Sequence, residues 1–301
     1  MNKAEPFLGW QAVKTEEGYG IHHGEYIRAL VIKYGLQKVR EYATPGAVGQ
    51  VLGLAEQEHE ITAEFHTRYR EMLGALQHCQ RHTRPDISAP LNALTRKAHK
   101  PNNTDWSALE RVVGYLAGAA DLQVIKMARP PKSERKRLHV FTDASLMDVR
   151  PDMKASTGYM AYLGGNLLAY GSKSTPESPE SSFLSETISL MKGFRTVLYL
   201  YDLWRSLDVE VELPITMYCD NQAAVLNVYR GAATELTRHT LARTMTLRQM
   251  VAAGIVEVLY IPTKYQLADI LTKNLAAAQF MYLRGYMHDP RELFKFAERM
   301  V

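Results

Sequence analysis

Cysteine is nearly absent: Cys79 and Cys219 are the only two among 301 residues. Two thiols make no disulfide framework, so the expected setting is reducing and intracellular, cytoplasm or nucleus. No stretch approaches the ~18 uninterrupted apolar residues of a membrane span, and no membrane partner is expected. Met1-Asn-Lys-Ala-Glu-Pro-Phe7 lacks the apolar core of a secretory signal. No internal repeat or low-complexity tract is present, which excludes a repeat architecture. Neither sign of charge dominates: 36 Lys and Arg stand against 32 Asp and Glu, for a net charge of +4. That mild basicity is compatible with nucleic acid without pointing to it. His78-Cys79-x-x-His82 offers one thiol and no second paired motif downstream, so it reads as a partly buried helix face rather than a zinc site.

What is present suits a packed protein of about two domains: 46% hydrophobic and 23% charged residues. Residues 1–130 read as α-rich, with a strand–turn–strand element over Phe7–Ile21 at their start. Apolar spacing predicts helices over Gly24–Leu36, Ile61–Cys79, a segment after Thr83-Arg-Pro-Asp86, and Thr104–Ala117 with Asn103 or Thr104 as N-cap. Ala128-Arg-Pro-Pro-Lys-Ser-Glu-Arg-Lys-Arg137 breaks the periodicity, and residues 131–137 read as a solvated linker. From Leu138 the texture turns to mixed α and β. Strands are expected over 138–142, 158–163, 167–172, 215–219 and 255–261. Helices are expected over 183–205, 221–229, 235–252 and from Tyr265. Leu184, Ile188, Met191, Leu198 and Leu203 should form the core stripe of the long helix. Thr263-x-x-Gln266 has the form of a capping box just before Asp269. A helical tail over 276–301 follows. The order βββαβααβα implies an α/β fold: a mixed five-stranded sheet flanked by helices and preceded by the mainly α region.

Four acids stand out against this background. Asp143 ends Leu138-His-Val-Phe-Thr-Asp, and Asp220 ends Ile215-Thr-Met-Tyr-Cys-Asp. Glu186 lies in Ser185-Glu-Thr-Ile-Ser-Leu190 and Asp269 in Gln266-Leu-Ala-Asp-Ile-Leu271, both near helix starts. A carboxylate at the end of a buried strand is poorly explained by packing. If the first and fourth strands of the sheet are neighbours, all four acids meet at one rim. Four converging carboxylates make a hard, oxygen-lined site suited to Mg²⁺. A pair of such ions is one solution for in-line displacement at phosphorus.

The same residues carry a family resemblance. Residues 138–275 resemble the ribonuclease H domain of copia-type LTR retrotransposon Pol polyproteins. The motifs are Val140-Phe-Thr-Asp-Ala-Ser145, Ser156-Thr-Gly-Tyr159, Leu163-Gly-Gly165, Ser172-Lys-Ser174 and Ser185-Glu-Thr-Ile-Ser-Leu190. They continue through Tyr218-Cys-Asp-Asn-Gln222, Thr237-Arg-His239 and Tyr260-Ile-Pro-Thr-Lys-Tyr-Gln-Leu-Ala-Asp-Ile-Leu-Thr-Lys-Asn-Leu275. Tyr26-Ile-Arg-Ala-Leu30, Tyr69-Arg-Glu-Met-Leu-Gly74, Thr83-Arg-Pro-Asp-Ile87 and Tyr115-Leu-Ala-Gly118 resemble the reverse transcriptase thumb and connection of the same polyproteins. The polymerase palm with its Asp-Asp pair is absent, so this chain alone is not expected to synthesise DNA.

The resemblance implies a ribonuclease H-like fold over 138–275 and hydrolysis of the RNA strand of an RNA–DNA hybrid. It places Asp143, Glu186, Asp220 and Asp269 as ligands of two Mg²⁺ ions, with Mn²⁺ as a substitute. Ser145, Asn221 and Gln222 are then candidates for sugar contacts, and Lys173 and Arg238 for phosphates. His239 is a candidate for assisting, because Ile261-Pro-Thr-Lys264 is too short to hold the mobile histidine of cellular ribonucleases H. Lys97, His99, Lys100 and Arg111 are further candidates for gripping substrate. The implied partners are the hybrid or RNA and a reverse transcriptase palm and fingers segment or subunit. A second reading is a retroelement-derived, non-catalytic nucleic-acid-binding module within a ribonucleoprotein. A third, an integrase on the same fold, fits poorly: integrases order their acids Asp, Asp, Glu, whereas here the glutamate comes second.

Overall fold

The computed structural model describes residues 9–50, 52, 62–145, 155–175, 181–229 and 238–299. The starts of the elements expected at Phe7, Ile61 and Glu235 lie outside them. Strands β1 (Gln11–Lys14) and β2 (Gly18–His22) form an antiparallel hairpin, as the Glu16-Glu-Gly pattern implies. A third strand, β3 (Ile125–Ala128), closes this small sheet on the β2 side. Sequence reading missed it because four residues beside a Pro-Pro pair show no usable alternation, and their partner lies about a hundred positions away.

Helices α1 (Gly24–Lys33), α2 (Ala63–His82), α3 (Ser88–Arg96) and α4 (Asn103–Ala117) follow the expected order. The cap of α4 is Asn102, one residue earlier than expected. The reason is Asp105: its carboxylate accepts from the Asn102 amide while the Asn102 side chain accepts from the Asp105 amide. Only a cap at Asn102 puts an acid at the third helical position to complete that reciprocal pair. The His78–His82 face of α2 packs its rings against each other and against His23, and Cys79 is buried.

The second sheet has five strands: β4 (Arg137–Ser145), β5 (Ser156–Leu163), β6 (Asn166–Ser174), β7 (Glu212–Cys219) and β8 (Val256–Tyr260). Their spatial order is β6-β5-β4-β7-β8. The first three pair antiparallel, and β7 and β8 join parallel. The β5–β6 hairpin turns through Gly164 and Gly165, whose φ values of 60° and 81° suit a two-residue turn with both centres left-handed. Strand β4 begins inside the expected linker and runs three residues beyond its expected end. The fold is α/β, with a mixed five-stranded sheet between helices.

One face of the sheet is covered by α5 (Ser182–Ser206), with α6 (Gln222–Tyr229) and α7 (Arg238–Ala252) beside it. The buried stripe of α5 differs from the one expected. It runs through Ser185, Ser189, Leu190, Gly193, Phe194, Val197 and Leu200, while Leu203 is exposed. Gly193 sets this rotation: a Cβ there would lie 2.3 Å from Thr142 Cγ2 of β4. The helix turns its smallest residue to the closest approach, so the buried stripe is offset from the expected one, of which Met191 and Leu198 still pack against the core.

The other face packs on α8 (Asp269–Thr272), α9 (Ala277–Tyr286), α10 (Arg291–Glu298) and the N-terminal helices. Leu91 and Leu94 of α3, Phe141 and Tyr218 of the sheet, and Phe294 of α10 share one continuous core. The tail is docked: Phe294 stacks 3.8 Å from the His139 ring.

Candidate active site

The parallel pairing of β4 with β7 aligns Phe141 with Tyr218. Two residues further along each chain stand Asp143 and Asp220, side by side at one end of the sheet. Asp143 is fully buried, and Asp220 half-buried. Helix α5 starts at the same end and presents Glu186 from its second turn. Ser189 pins the helix there by donating to the Asp143 carbonyl at 2.5 Å and to the Gly158 carbonyl at 3.2 Å. Asp269 opens α8 and arrives from the opposite face of the sheet.

The expected capping box before Asp269 is absent. Thr263–Tyr265 is a separate 3₁₀ turn, and α8 begins only at Asp269. The side chains that would have made the box are used in the site. The Thr263 hydroxyl donates to Asp220 Oδ2 at 2.8 Å, and the buried Gln266 amide donates to the Thr142 carbonyl at 3.0 Å.

Asp143, Asp220 and Asp269 each offer an oxygen within 4.8 Å of the others, and a second group within the same distance joins carboxylate oxygens of Glu186 and Asp220 to the Cys219 sulfur. Asp220 belongs to both groups, so the four acids named from the sequence form one cluster. Burial pushes the Glu186 carboxyl far up from its ordinary value, with Asp143 and Asp220 adding to it. Asp269 is raised by burial and then by Asp143, and Asp220 by the same two causes. Like charges in a dry pocket disfavour ionisation until a cation joins them.

One cation is already built in. Lys273 Nζ lies 3.0 Å from Asp269 Oδ1 and 3.4 Å from Asp143 Oδ1. Burial works to lower the Lys273 pKa, but Asp143 and Asp269 outweigh it and hold the ammonium charged. The Thr272 hydroxyl donates to Asp143 Oδ2. Sequence reading missed Lys273, Thr272 and Thr263 as site residues. The spacing of Asp269 and Lys273 at i,i+4 was the available signal for the first.

Among the described residues Glu186 Oε2 is buried with no hydrogen-bond partner, while Asp143 Oδ1 and Asp269 Oδ1 are buried against the single Lys273 ammonium. Buried acceptors without donors are costly, and a divalent ion would satisfy them. The donor set is oxygen, which fits a hard ion such as Mg²⁺. The Cys219 thiol does not fit that role. Burial, with Glu186 next, raises its pKa well above the ordinary value and keeps it a protonated, soft atom.

The other sequence candidates lie on several separate elements. Ser145 ends β4 opposite Ser156 and is buried. Asn221 accepts from the Ala224 amide at 3.0 Å and so caps α6, while Gln222 is exposed on its first turn. Lys173 is exposed on β6. Arg238 and His239 open α7, and their side chains lie outside the described residues. Lys97 is buried, and Arg111 donates to Thr44 and lies over the Tyr42 ring. His99 and Lys100 are exposed.

No protein-family model matches the chain. It is similar to the retrovirus-related Pol polyprotein from transposon RE2 of Arabidopsis thaliana, 29% identical over 275 residues. That match covers 91% of this chain and 18% of the relative. It is 23% identical over 287 residues to the Pol polyprotein from transposon TNT 1-94 of Nicotiana tabacum, covering 93% of this chain and 21% of the relative. The chain thus spans about a fifth of the length of the curated relatives it matches. Among solved structures it resembles LC11-RNase H1, isolated from compost, with a TM-score of 0.36 and 17% identity over 46% of this chain and 93% of that one. The sequence matches bear out the resemblance to copia-type Pol polyproteins read from the motifs.

Proposed function

We propose that this chain is a ribonuclease H that hydrolyses the RNA strand of RNA–DNA hybrids endonucleolytically with divalent metal. The observation that carries the reading is the convergence of Asp143, Glu186, Asp220 and Asp269 into one largely buried cluster of oxygen ligands. These four residues would hold the metal, Mg²⁺ or Mn²⁺. When bound, a metal pair supplies an activated water and neutralises charge at the leaving oxygen.

The protein's own part is positioning. Ser189 fixes α5, and with it Glu186, against β4. Thr263 orients the Asp220 carboxylate, and Thr272 that of Asp143. Lys273 offsets part of the negative charge in the cluster. Contacts to 2′-hydroxyls on one strand would select RNA over DNA. Backbone atoms around Ser145, Asn221 and Gln222 lie at the rim for this. In the same reading residues 1–130 correspond to a thumb and connection, residues 138–275 to the nuclease domain, and the palm belongs to a partner segment or subunit.

The test is cleavage of a hybrid labelled on either strand. The expected products come from the RNA strand alone, carry 5′-phosphates and 3′-hydroxyls, and disappear with EDTA. Tight hybrid binding with no product in either Mg²⁺ or Mn²⁺ would favour the non-catalytic module instead.

A further inference from the structure

Two neighbouring residues at the end of β7 offer ligand atoms of opposite chemical character. Asp220 is a hard oxygen donor, and the buried Cys219 is a soft sulfur donor. Successive side chains of a regular strand point to opposite faces. These two reach one place because β7 ends at Cys219 and the chain bends at Asp220. The Cys219 sulfur, an Asp220 oxygen and a Glu186 oxygen lie within 4.8 Å of one another. A tetrahedral zinc ion, with bonds of about 2.3 Å to sulfur and about 2.1 Å to oxygen, separates such ligands by about 3.4–3.6 Å. Each pair therefore has to close by no more than about 1.4 Å to reach that geometry.

Packing accounts for the sulfur but not for the glutamate. Cys219 belongs to the apolar core on the α5 side of the sheet, and its thiol has only a weak contact, at 4.0 Å, with the Asn221 carbonyl. Glu186 is 7% exposed, and its Oε2 is buried with no hydrogen-bond partner among the described residues. Lys273 pairs with Asp143 and Asp269, and no described Lys or Arg forms an ion pair with Glu186 or Asp220. This side of the cluster is thus short of positive charge and carries a sulfur. Mg²⁺ takes oxygen ligands and leaves a thiol alone, whereas soft thiolates select zinc-like ions. The half-buried Asp220 gives such an ion an approach from the rim.

We propose that Glu186, Cys219 and Asp220 form a three-ligand site for a thiophilic divalent ion, Zn²⁺, whose occupation excludes the hard ions of the carboxylate cluster. As the metal–sulfur bond forms, the thiol proton leaves to solvent, because a coordinating thiol is deprotonated outright. No electron changes hands. The fourth tetrahedral position stays open to water. Glu186 and Asp220 serve in both ligand sets, so the two occupations are mutually exclusive and Zn²⁺ inhibits a Mg²⁺-dependent reaction at this centre. The inhibition rests on the ribonuclease H reading, while the site itself does not.

The measurement is ultraviolet difference absorption of the full chain titrated with Cd²⁺, the spectroscopic probe for Zn²⁺. A cadmium–thiolate bond gives a charge-transfer band that carboxylate ligands do not. The parent should show a saturable band, and Cys79→Ala should keep it. Cys219→Ala should lose the band and bind Cd²⁺ at least ~10-fold more weakly, the lower bound for changes even outside a metal's own ligands. Mn²⁺ binding by electron paramagnetic resonance separates the two ligand sets. Glu186→Gln should weaken both Mn²⁺ and Cd²⁺, and Cys219→Ala should weaken Cd²⁺ alone. Zinc outranks manganese at most sites, so dependence on Cys219, not competition, is decisive. Absence of the band in the parent, or its survival in Cys219→Ala, would overturn the proposal. The first outcome needs no variant, which keeps the test decisive if loss of Cys219 disturbs the core. The two readings fail separately. A Cys219-dependent band in a chain that cleaves no hybrid in Mg²⁺ removes the nuclease and keeps the site, whereas cleavage without the band does the reverse.

Discussion

Lys273 holds a position between Asp143 and Asp269 that in a cluster of like charges calls for a cation. Its neutral replacement should therefore expose the repulsion that the metal-free site otherwise avoids. Lys273→Met is expected to lower stability in EDTA by roughly 1–3 kcal/mol. Mg²⁺ should recover more stability in this variant than in the parent, because a ligand stabilises the state that binds it. Equal Mg²⁺ responses in thermal melts would remove Lys273 from the account. His139 gives a pH test away from the site. Its ring is sandwiched against Phe294, its Nδ1 lies 3.0 Å from the Tyr218 hydroxyl, and Glu134 stands 3.9 Å from its Nε2. Burial, then Arg137, pulls its pKa down to about 3. The unfolded chain takes up this proton near the ordinary value of about 6.5 while the folded chain does not. Stability is thus fully present above that value and drains as pH falls toward 3. Between pH 7 and 5 the loss from this group should be about 2 kcal/mol. Denaturant titrations of His139→Gln should lack that increment; an unchanged difference from the parent would contradict the assignment. At this scale the four acids were legible because each breaks the pattern of its own segment. Thr263, Thr272 and Lys273 break none, and they gain a role only once distant strands bring Asp143 and Asp220 to them.

At the scale of elements, most helices and strands follow from periodicity and turn residues, and the departures share a cause in tertiary contact. In α5 the closest approach to the sheet is that of Gly193 to Thr142, with Leu190 and Leu200 buried on the same face. The Thr142 side chain cannot easily swing aside, because its hydroxyl donates to the Tyr218 carbonyl at 3.2 Å. Alanine favours a helix over glycine by about 1 kcal/mol, yet Gly193→Ala should destabilise by about 1–3 kcal/mol through overpacking. Thr142→Ser keeps the hydroxyl and removes the obstructing methyl, so the double variant should regain most of the loss. Additive losses in a double-mutant cycle would show that the contact is not the cause. The Thr263–Gln266 segment teaches the same lesson. Its capping-box pattern is real, but Asp220 and the Thr142 carbonyl compete for the same side chains and prevail.

For the whole molecule, the sequence divides into an α-rich half and a sheet-bearing half, and the core joins them. Leu91, Phe141, Tyr218 and Phe294 come from four separate stretches and pack as one cluster. No local pattern reveals that the tail completes it, since Phe294 sits in an eight-residue helix of mixed polarity. Phe294→Ala should cost about 3–5 kcal/mol, in a single unfolding transition followed equally by tyrosine fluorescence and circular dichroism. Loss of α10 signal alone, with the sheet unaffected, would mean that the tail is an appendage.

The central claim is that Asp143, Glu186, Asp220 and Asp269 act as one cation-holding centre, and Mn²⁺ titration followed by electron paramagnetic resonance addresses it directly. The parent chain should show saturable binding, and Asp143→Asn and Asp220→Asn should each weaken it at least ~10-fold, the lower bound seen even when outer partners of a metal site are changed, with circular dichroism unaltered. Mn²⁺ binding of parental strength in both variants would contradict the account.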